Sequence, residues 1–513
     1  MNISDQLAIT AREIPTKTAY IFQDQETSYQ ELEGSVTKFA SGLEQMGLQK
    51  GDHIALVTGN SPYFIIGLYG ALRLGLTVIP VNPTYTAEEM GYMLENGDVK
   101  AVISMDLFLE TFEKMSSSIA KVEHIIVAET DSSIPWEKRS LSGKMKSFTK
   151  VISEGSLDFI SPKLDAEDIG VILYTSGTTG SPKGAMLTHR NIFSNAKDVA
   201  DYLQMNNDDT VIAALPMFHV FCLTVSLNAP LMNGGTVLVM PKFSPQEVFR
   251  VTEKFQASVF AGVPTMYNYL LQGGVEHKAS LQSLRLCISG GASMPVALLQ
   301  QFEETFNVII SEGYGLSEAS PVTSFNPLDR PRKPGSIGTN IWNVENIIVD
   351  ELGEELPAGE VGELVVRGPN VMKGYYKMPE ETAVALRDGW LYTGDMARMD
   401  EEGYIYIVDR KKDMILVGGY NVYPREVEEV LYRHENVTEV AVIGAPDPNL
   451  GEAVQAFVVV DDPNVTEQAL YDYCTGHLAK YKLPASIQFL EELPKNTTGK
   501  ILRKSLRETV QQS

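Results

Sequence analysis

The sequence of 513 residues predicts an α/β protein with a large layered N-terminal domain and a small α+β C-terminal domain. In the first part of the chain, β-branched strands such as HIALVTG, KAVISM and HIIVAET alternate with amphipathic helical patterns, which indicates mostly parallel sheets. Near residue 340 the strands, such as ENIIVD and GELVVRG, take the pattern of antiparallel hairpins. The charged segment DRKKD at 409–413 separates two independent patterns, so we expect domains at 1–410 and 411–513.

The C-terminal segment has its own sequence of elements. Pro424 opens a predicted helix, in which Val427, Val430 and Leu431 share one face. Strands in EVAVIGA and VQAFVVVD, a helix near 467–480 and a strand in SIQFL follow. We expect these elements to form one compact α+β unit.

The most apolar segment, YFIIGLYGALRLGLTVIPV at 63–81, is predicted to be buried rather than to span a membrane. Arg73 lies in its middle, which costs about 2.5–3.5 kcal/mol on the membrane-insertion scale. Gly75 and Pro80 interrupt the segment further on. A buried helix, a glycine turn and a buried strand explain it better.

Charge and cysteine content limit the function classes. The chain carries 42 Lys and Arg against 66 Asp and Glu, a net charge of −24, which argues against a nucleic-acid binder. Cys222, Cys287 and Cys474 lie far apart without a CxxC pair, which favours a reducing compartment. With no signal peptide pattern at the N-terminus, we expect a cytoplasmic protein. Five cationic side chains at 138–150 are expected to form a solvated surface loop, and the alternative is docking to anionic lipid, as in peripheral membrane contact, or to a cofactor phosphate. The sequence also leaves a homodimer open.

The segment TSGTTGSPKG at 175–184 has the composition of a phosphate-binding loop. Glycines let backbone N–H groups approach an anion, hydroxyls donate hydrogen bonds to phosphate oxygens, and Lys183 adds positive charge. It is not a Walker A loop, because Lys183 lies between Pro182 and Gly184. The predicted phosphate contacts are Thr175, Ser176, Gly177, Thr178, Thr179, Gly180 and Lys183.

Six motifs in order resemble the adenylate-forming superfamily, which includes acyl-CoA synthetases, and the resemblance continues through about residue 504. The motifs are TSGTTGSPKG, PMFHVF, GYGLSEAS, YTGD, DRKKD and PKNTTGK. GYGLSEASPVTSFNP followed by GSIG is most similar to bacterial medium- and long-chain fatty-acid–CoA ligases. The resemblance implies two half-reactions on a fold with a mobile small domain. A carboxylate attacks ATP to give an acyl-adenylate and pyrophosphate, and CoA then displaces AMP.

Two alternatives remain open at this stage. One is an aryl or short-chain acid–CoA ligase, and the other is a non-catalytic nucleotide-binding protein on the same fold. The presence of Lys183, Glu318, Asp395 and Lys500 together argues against the non-catalytic protein, which would have no chemical need for all four.

The resemblance also implies nucleotide contacts, residue by residue. Glu318 would bind Mg²⁺, an ion that prefers hard carboxylate oxygens. Tyr314 would stack on the adenine, and Ser317, where the family more often has Thr, would contact the α-phosphate. Asp395 would accept both ribose hydroxyls, and Arg410 would be the second ribose contact. Backbone contacts to the nucleotide are implied at Gly290, Gly291 and Gly315.

The remaining implied roles concern catalysis, domain rotation and the acid. Lys500 would bridge the carboxylate and the α-phosphate, and His219 would lie where the acyl pocket meets the phosphates. A neutral His at this place, where amino-acid-activating domains have an Asp after the Phe, argues against amino acid substrates. Lys412 would be the hinge, and Gly418 and Gly419 would lie beside CoA. The implied acyl pocket is Phe218, Val220, Phe221, Val263 and Gly313, a mostly apolar set that favours medium- to long-chain acids.

Overall fold

The computed structural model describes residues 2–115, 119–130, 142–175, 182–410, 413–448, 450–497 and 499–511. The strands are β1 Thr18–Phe22, β2 Gln25–Ser28, β3 His53–Val57, β4 Thr77–Pro80, β5 Val99–Met105, β6 His124–Ala128, β7 Met145–Ser147, β8 Ile169–Thr175, β9 Lys183–Thr188, β10 Thr210–Ala213, β11 Thr236–Val239, β12 Val259–Gly262, β13 Leu286–Ser289, β14 Ile310–Gly315, β15 Val322–Phe325, β16 Thr339–Asn340, β17 Glu345–Val349, β18 Gly362–Arg367, β19 Gly374–Tyr375, β20 Leu386–Arg387, β21 Trp390–Met399, β22 Ile405–Arg410, β23 Ile415–Val417, β24 Tyr420–Val422, β25 Val437–Asp447, β26 Gly451–Val460 and β27 Ser486–Phe489. The helices are α1 Ile3–Glu13, α2 Tyr29–Gln45, α3 Pro62–Leu74, α4 Ala87–Asn96, α5 Leu109–Lys114, α6 Phe148–Glu154, α7 His189–Tyr202, α8 Ala229–Met232, α9 Pro245–Phe255, α10 Pro264–Gln272, α11 Val296–Phe306, α12 Pro379–Ala385, α13 Pro424–Tyr432, α14 Glu467–Thr475 and α15 Arg503–Gln511.

Two large sheets dominate the N-terminal part of the chain. One has the strand order β16-β15-β14-β13-β12-β10-β11-β1-β2, and its strands from β14 to β1 are parallel. The other has the order β19-β9-β8-β4-β3-β5-β6-β7, parallel from β8 to β7. In the second sheet, β9 and β19 add an antiparallel edge. The mostly parallel α/β layers predicted from the strand pattern are confirmed.

The antiparallel part of the prediction also holds. Strands β17, β18, β21 and β22 pair antiparallel in a third sheet. The small domain has a fourth sheet of β23 to β27, against which α13 packs with Val427, Val430 and Leu431 buried in a separate core.

Of the helices in the small domain, the end of one was predicted wrongly and another was missed. Helix α14 ends at Thr475, with Gly476 as its cap, and the polar helix α15 was missed because only Leu506 on it is strongly buried.

The apolar segment at 63–81 folds as predicted. Helix α3 ends at Leu74, Gly75 takes a left-handed φ of 80° and β4 follows, and the segment is buried from Phe64 on. Arg73 is only 5% exposed, and its guanidinium pairs with Glu33 at 2.6 Å, so its charge is neutralised within the protein. Of the helices described, none is long and apolar enough to cross a bilayer.

Helix α7 fixes the surroundings of the phosphate-loop hairpin. It begins directly after β9 with a capping box, in which Thr188 and Asn191 satisfy each other's backbone N–H groups. The Asn191 amide also donates to the carbonyl oxygens of Pro369 and Val371, at 2.8 and 2.9 Å. The segment leading into β19 is therefore held against the hairpin.

Candidate active site

A cavity of about 970 Å³ lies where the parallel strands of both large sheets end. Val263 and Gly290 line it directly after β12 and β13, and Leu215 lines it two residues after β10. The carboxyl ends of parallel strands are the usual ligand site of α/β sheets. Of the predicted site residues, the cavity wall includes Thr175, Lys183, Phe218, His219, Val220, Phe221, Val263, Gly290, Gly291, Gly313, Tyr314, Gly315, Ser317, Glu318, Asp395 and Lys500.

The other predicted site residues are not placed at the cavity. Ser176, Gly177, Thr178, Thr179, Gly180 and Lys412 lie outside the described residues. Gly418 and Gly419 form a turn between β23 and β24 with φ of 56° and 87°, and they are not in the cavity wall. Their predicted contact with CoA therefore requires a different arrangement of the small domain.

The ends of the predicted phosphate loop are joined by a hairpin. Strands β8 and β9 are antiparallel, and Thr175 lies opposite Lys183 in their register. The Thr175 hydroxyl donates to the Lys183 carbonyl oxygen at 3.4 Å. The Lys183 ammonium lies 5.3 Å from the centre of the Tyr375 ring, within the range of a cation–π contact. The lysine is thus held at the cavity wall by the hairpin and by an aromatic ring.

Glu318 presents a carboxylate to the same cavity. It lies in a short 3₁₀ turn directly after β14, and its Oε1 accepts a hydrogen bond from the Tyr375 hydroxyl at 2.8 Å. The described residues contain no cluster of three or more His, Cys, Asp and Glu that could enclose a metal. One carboxylate beside the predicted phosphate loop nevertheless fits Mg²⁺, which commonly takes one or two protein carboxylates and completes its shell with phosphate and water.

Asp395 and Tyr314 lie together in the cavity wall. The Tyr314 hydroxyl donates to Asp395 Oδ2, and Asp395 is only 6% exposed. Thr393 supports the carboxylate from its own strand, because its hydroxyl accepts a hydrogen bond from the Asp395 N–H at 3.1 Å. Arg410 lies opposite Asp395 in the register of β21 and β22. The geometry brings Tyr314 and Asp395, predicted for adenine and ribose, into one place, and of Arg410 only the backbone position opposite Asp395 is described.

His219 lies deep in the protein but borders the cavity, so part of its ring stays accessible. Its Nδ1 accepts a hydrogen bond from the Phe221 N–H at 3.3 Å, which assigns the proton of the neutral ring to Nε2. Burial, and secondarily the Lys500 charge, lowers the pKa of His219 to about 4. The imidazole is therefore neutral at physiological pH and can act as a hydrogen-bond donor through Nε2.

Lys500 reaches this cavity from the small domain. It lies at the end of a tight turn, where its N–H donates to Asn496 Oδ1 at 2.9 Å. The neighbouring Thr497 accepts a hydrogen bond from the side-chain amide of Asn82 in the large domain at 3.0 Å. Lys495, Asn496 and Thr497 also line the cavity. The two domains therefore close one site between them.

Apolar side chains form the remaining part of the wall. Val220, Phe221 and Val263 are buried, and Phe218 packs against the same core. Directly after Phe221 the chain forms a π-helix at Cys222–Asn228, a form that is frequent at functional sites. This part of the cavity suits an apolar group.

Sequence reasoning missed three residues of the site: Tyr375, Asn82 and Thr497. Each forms a hydrogen bond that fixes the cavity. Tyr375 and Asn82 belong to no motif that was singled out, whereas Thr497 lies within PKNTTGK, in which only Lys500 was assigned a role. The GYY sequence at 374–376, close after a predicted strand, was the only available signal for Tyr375. Nothing in the local sequence indicates that Asn82 meets the small domain.

Comparison with known proteins places these features in context. The AMP-binding enzyme family matches residues 7–376, and the AMP-binding enzyme C-terminal domain matches residues 426–500. A long-chain-fatty-acid–CoA ligase of Bacillus subtilis (strain 168) is 40% identical, with 98% of this chain and 93% of that protein aligned. A feruloyl-CoA synthase of Amycolatopsis sp is 34% identical, with 97% and 96% aligned. The crystal structure of ATP-bound MatB from Rhodopseudomonas palustris superposes with a TM-score of 0.90 at 33% identity, and 99% of each chain is covered.

Proposed function

The chain belongs to the AMP-binding enzyme family, and we propose that it is an AMP-forming fatty-acid–CoA ligase. It activates a medium- or long-chain fatty acid with ATP, releases pyrophosphate and transfers the acyl group to CoA. The observation that carries this proposal is the shared cavity, in which Lys500 of the small domain meets Lys183, Glu318 and Asp395 next to an apolar wall. A volume of about 970 Å³ is at the upper end for small-molecule sites, as two substrates require.

The first half-reaction depends on charge and alignment. The acid is already an anion at neutral pH, so its attack on the α-phosphorus needs no general base. The obstacle is the approach of two anions. Lys183 and Lys500 supply positive charge from the two domains, and the neutral His219 offers an N–H donor at the boundary with the apolar wall. Asp395 holds the ribose through its two oxygens, and Tyr314 lies beside the adenine.

Mg²⁺ would be held by Glu318 beside the phosphate loop. When bound, it supplies positive charge that neutralises the phosphate oxygens. The role of this chain's residues is to hold the carboxylate at the cavity wall, which the 3₁₀ turn and Tyr375 do.

The second half-reaction requires rotation of the small domain. In the arrangement described here Lys500 is at the cavity and the Gly418–Gly419 turn is not, which is the arrangement expected for adenylation. Rotation about Lys412 would bring that turn beside the CoA thiol arm. The change Lys412→Pro fixes φ near −65°, so it should impair thioester formation more than adenylation.

An aryl acid–CoA ligase is the second candidate, because a feruloyl-CoA synthase is 34% identical over nearly the whole chain. A panel of carboxylic acids with ATP, Mg²⁺ and CoA distinguishes the two when AMP, pyrophosphate and thioester are measured together. Fatty acids should give all three products in equal amounts. Preference for planar aromatic acids would favour the alternative, and release of ADP and phosphate would contradict the reaction itself.

A cytoplasmic location, peripheral membrane contact through 138–150 and a homodimer stay predictions. Of that segment, residues 138–141 lie outside the described part of the chain. The prediction of a loop is wrong for the rest, which forms a 3₁₀ turn, β7 and the start of α6. Flotation with vesicles that contain anionic lipid, compared with neutral vesicles, tests the membrane contact. Sedimentation tests the dimer.

A further inference from the structure

Tyr375 connects the two charged groups of the phosphate end of the cavity. Its hydroxyl donates to Glu318 Oε1 at 2.8 Å, and the Lys183 ammonium lies 5.3 Å from the centre of its ring. It is half-buried and lines the cavity. The proposed reaction, as described above, assigns no task to this tyrosine beyond its contact with Glu318.

The backbone around Tyr375 is fixed to both neighbours. The Met372 N–H donates to the carbonyl oxygen of Glu318 at 2.8 Å, so the segment is tied to the turn that carries the carboxylate. Tyr375 pairs with Ala185 in the register of β19 and β9, and the Tyr376 N–H donates to the Gly184 carbonyl oxygen at 2.8 Å. The tyrosine thus has a set position relative to both Glu318 and the phosphate-loop hairpin.

The Tyr375 hydroxyl contacts only one of the two oxygens of the Glu318 carboxylate. Within the described part of the chain, Glu318 Oε1 receives the Tyr375 hydroxyl, while no hydrogen bond or ion pair to Oε2 is present. The Tyr375 phenol carries a proton at neutral pH and is the donor in this bond, because an ionised carboxylate can only accept. When a hydrogen bond fixes one oxygen of a carboxylate, the other oxygen points in a set direction and remains available to bind a cation.

We infer that Tyr375 is a positioning residue for the cation of this site: its hydroxyl orients Glu318 so that the second carboxylate oxygen faces Mg²⁺ and the ATP phosphates. The inference rests on the proposed function, because Glu318 is the proposed Mg²⁺ ligand. Removing the hydroxyl should therefore weaken metal-assisted ATP binding and leave metal-free ATP binding nearly unchanged.

The variant Tyr375→Phe isolates the hydroxyl, because it keeps the ring that contacts Lys183. Calorimetric titration of the enzyme with ATP alone, without acid, gives one Kd with Mg²⁺ and one with EDTA. The Kd with EDTA divided by the Kd with Mg²⁺ measures how much the metal strengthens ATP binding. This ratio should fall about tenfold in the variant, the lower end of the effect of losing a group that orients a metal ligand. Mn²⁺ binding followed by electron paramagnetic resonance should weaken by a similar factor.

Tyr376→Phe is the matched control. Its hydroxyl also donates to a carboxylate, Asp98 Oδ2, at 2.9 Å, but it is half-buried outside the cavity wall. This variant should keep the wild-type ratio of Kd values. The pair separates a general effect of losing a tyrosine–carboxylate hydrogen bond from an effect on the cation.

A double variant tests whether Tyr375 acts through Glu318. In Glu318→Gln the metal dependence should already be lost, so adding Tyr375→Phe should change the ratio no further. An unchanged ratio in Tyr375→Phe, or equal loss with Mg²⁺ and with EDTA, would overturn the inference and leave the proposed function standing. If the wild-type enzyme binds ATP with the same Kd in Mg²⁺ and in EDTA, the proposed metal site is overturned as well.

Discussion

The side-chain amide of Asn82 donates a hydrogen bond to the Thr497 hydroxyl at 3.0 Å, which joins the large domain to the turn that carries Lys500. Asn82 is only 5% exposed, and both residues line the cavity. In the proposed reaction the small domain rotates, which would break this bond. The bond would then stabilise the arrangement proposed for adenylation relative to the rotated one.

Asn82→Ala should shift the domain equilibrium away from adenylation. Loss of one hydrogen bond of this kind changes the free energy by about 0.5–1.5 kcal/mol, or roughly two- to tenfold in population. Acid-dependent pyrophosphate release should fall by up to that factor, while thioester formation from supplied acyl-adenylate should not. Thr497→Val should have the same effect, and the double variant should lose no more than either single one.

Lys500→Ala should separate the half-reactions more strongly. Removing one donor to the transition state commonly costs about 10²–10³ in rate, and we expect at least that loss in adenylation. Thioester formation from supplied acyl-adenylate should largely survive. Lys504→Ala is the control, because Lys504 belongs to the same basic cluster but is 85% exposed and pairs with Glu508. Equal loss in both half-reactions would assign Lys500 another role.

His219 should not titrate during catalysis. Its pKa is lowered from 6.5 to about 4, so the ring stays neutral as the pH falls through 6.5 and becomes charged only near pH 4. The ratio of kcat/KM between wild type and His219→Gln should therefore stay constant between about pH 5 and pH 8. A ratio that changes with an inflection near pH 6.5 would show that the ring is not neutral in the working enzyme.

Glu312 should make the stability of the protein depend on pH. Its carboxyl is 1% exposed, and burial raises its pKa to about 7, with the nearby Arg425 opposing the shift. Because the folded-state pKa exceeds the unfolded value of 4.5, stability is lost as the pH rises from 4.5 to 7. Glu312→Gln can still accept the Met294 N–H, which the wild-type Oε1 accepts at 2.9 Å. It should raise the free energy of unfolding by up to about 3 kcal/mol at pH 8 and by little near pH 4.5, as measured in urea.

The sequence predicted those residues of the site that belong to recognisable motifs, including His219, Asp395 and Lys500. Tyr314, Ser317 and Glu318 belong to one motif, so their shared location follows from their spacing. Tyr375 is 57 residues from Glu318, and Thr497 is 415 residues from Asn82, so these contacts depend on how sheets and domains pack. The small domain shows the same limit. Helix α13 has a clear apolar face of Val427, Val430 and Leu431, whereas the short α15 has only Leu506 and Val510 as apolar residues, a pattern too brief to have been recognised.

The cavity wall also bears on the length of the acid. Each buried CH₂ contributes about 0.8 kcal/mol, so an acid of twelve carbons would gain about 3 kcal/mol over one of eight, roughly a hundredfold in affinity. We therefore expect kcat/KM to rise with chain length to a plateau. An optimum at acetate, malonate or an aromatic acid would contradict the fatty-acid assignment and leave the adenylation chemistry in place.

Gly290→Ala tests where the acyl chain passes. A Cβ at this position would lie 3.3 Å from the Phe221 ring and 3.5 Å from the Gly313 carbonyl oxygen, a tight but tolerable fit. Because Phe221 belongs to the predicted acyl pocket, the added methyl should narrow that pocket and lower kcat/KM for long acids more than for short ones. Overpacking of this kind costs about 1–3 kcal/mol, so the preference for twelve over eight carbons should fall about fivefold or more. Gly143→Ala, where an added Cβ meets nothing within 4 Å, should keep the wild-type profile.

Gly290 was predicted from the family resemblance to contact the nucleotide through its backbone, which a methyl leaves in place, so the KM for ATP should change little. Equal loss for all acids together with a raised KM for ATP would instead show that this glycine serves the nucleotide alone.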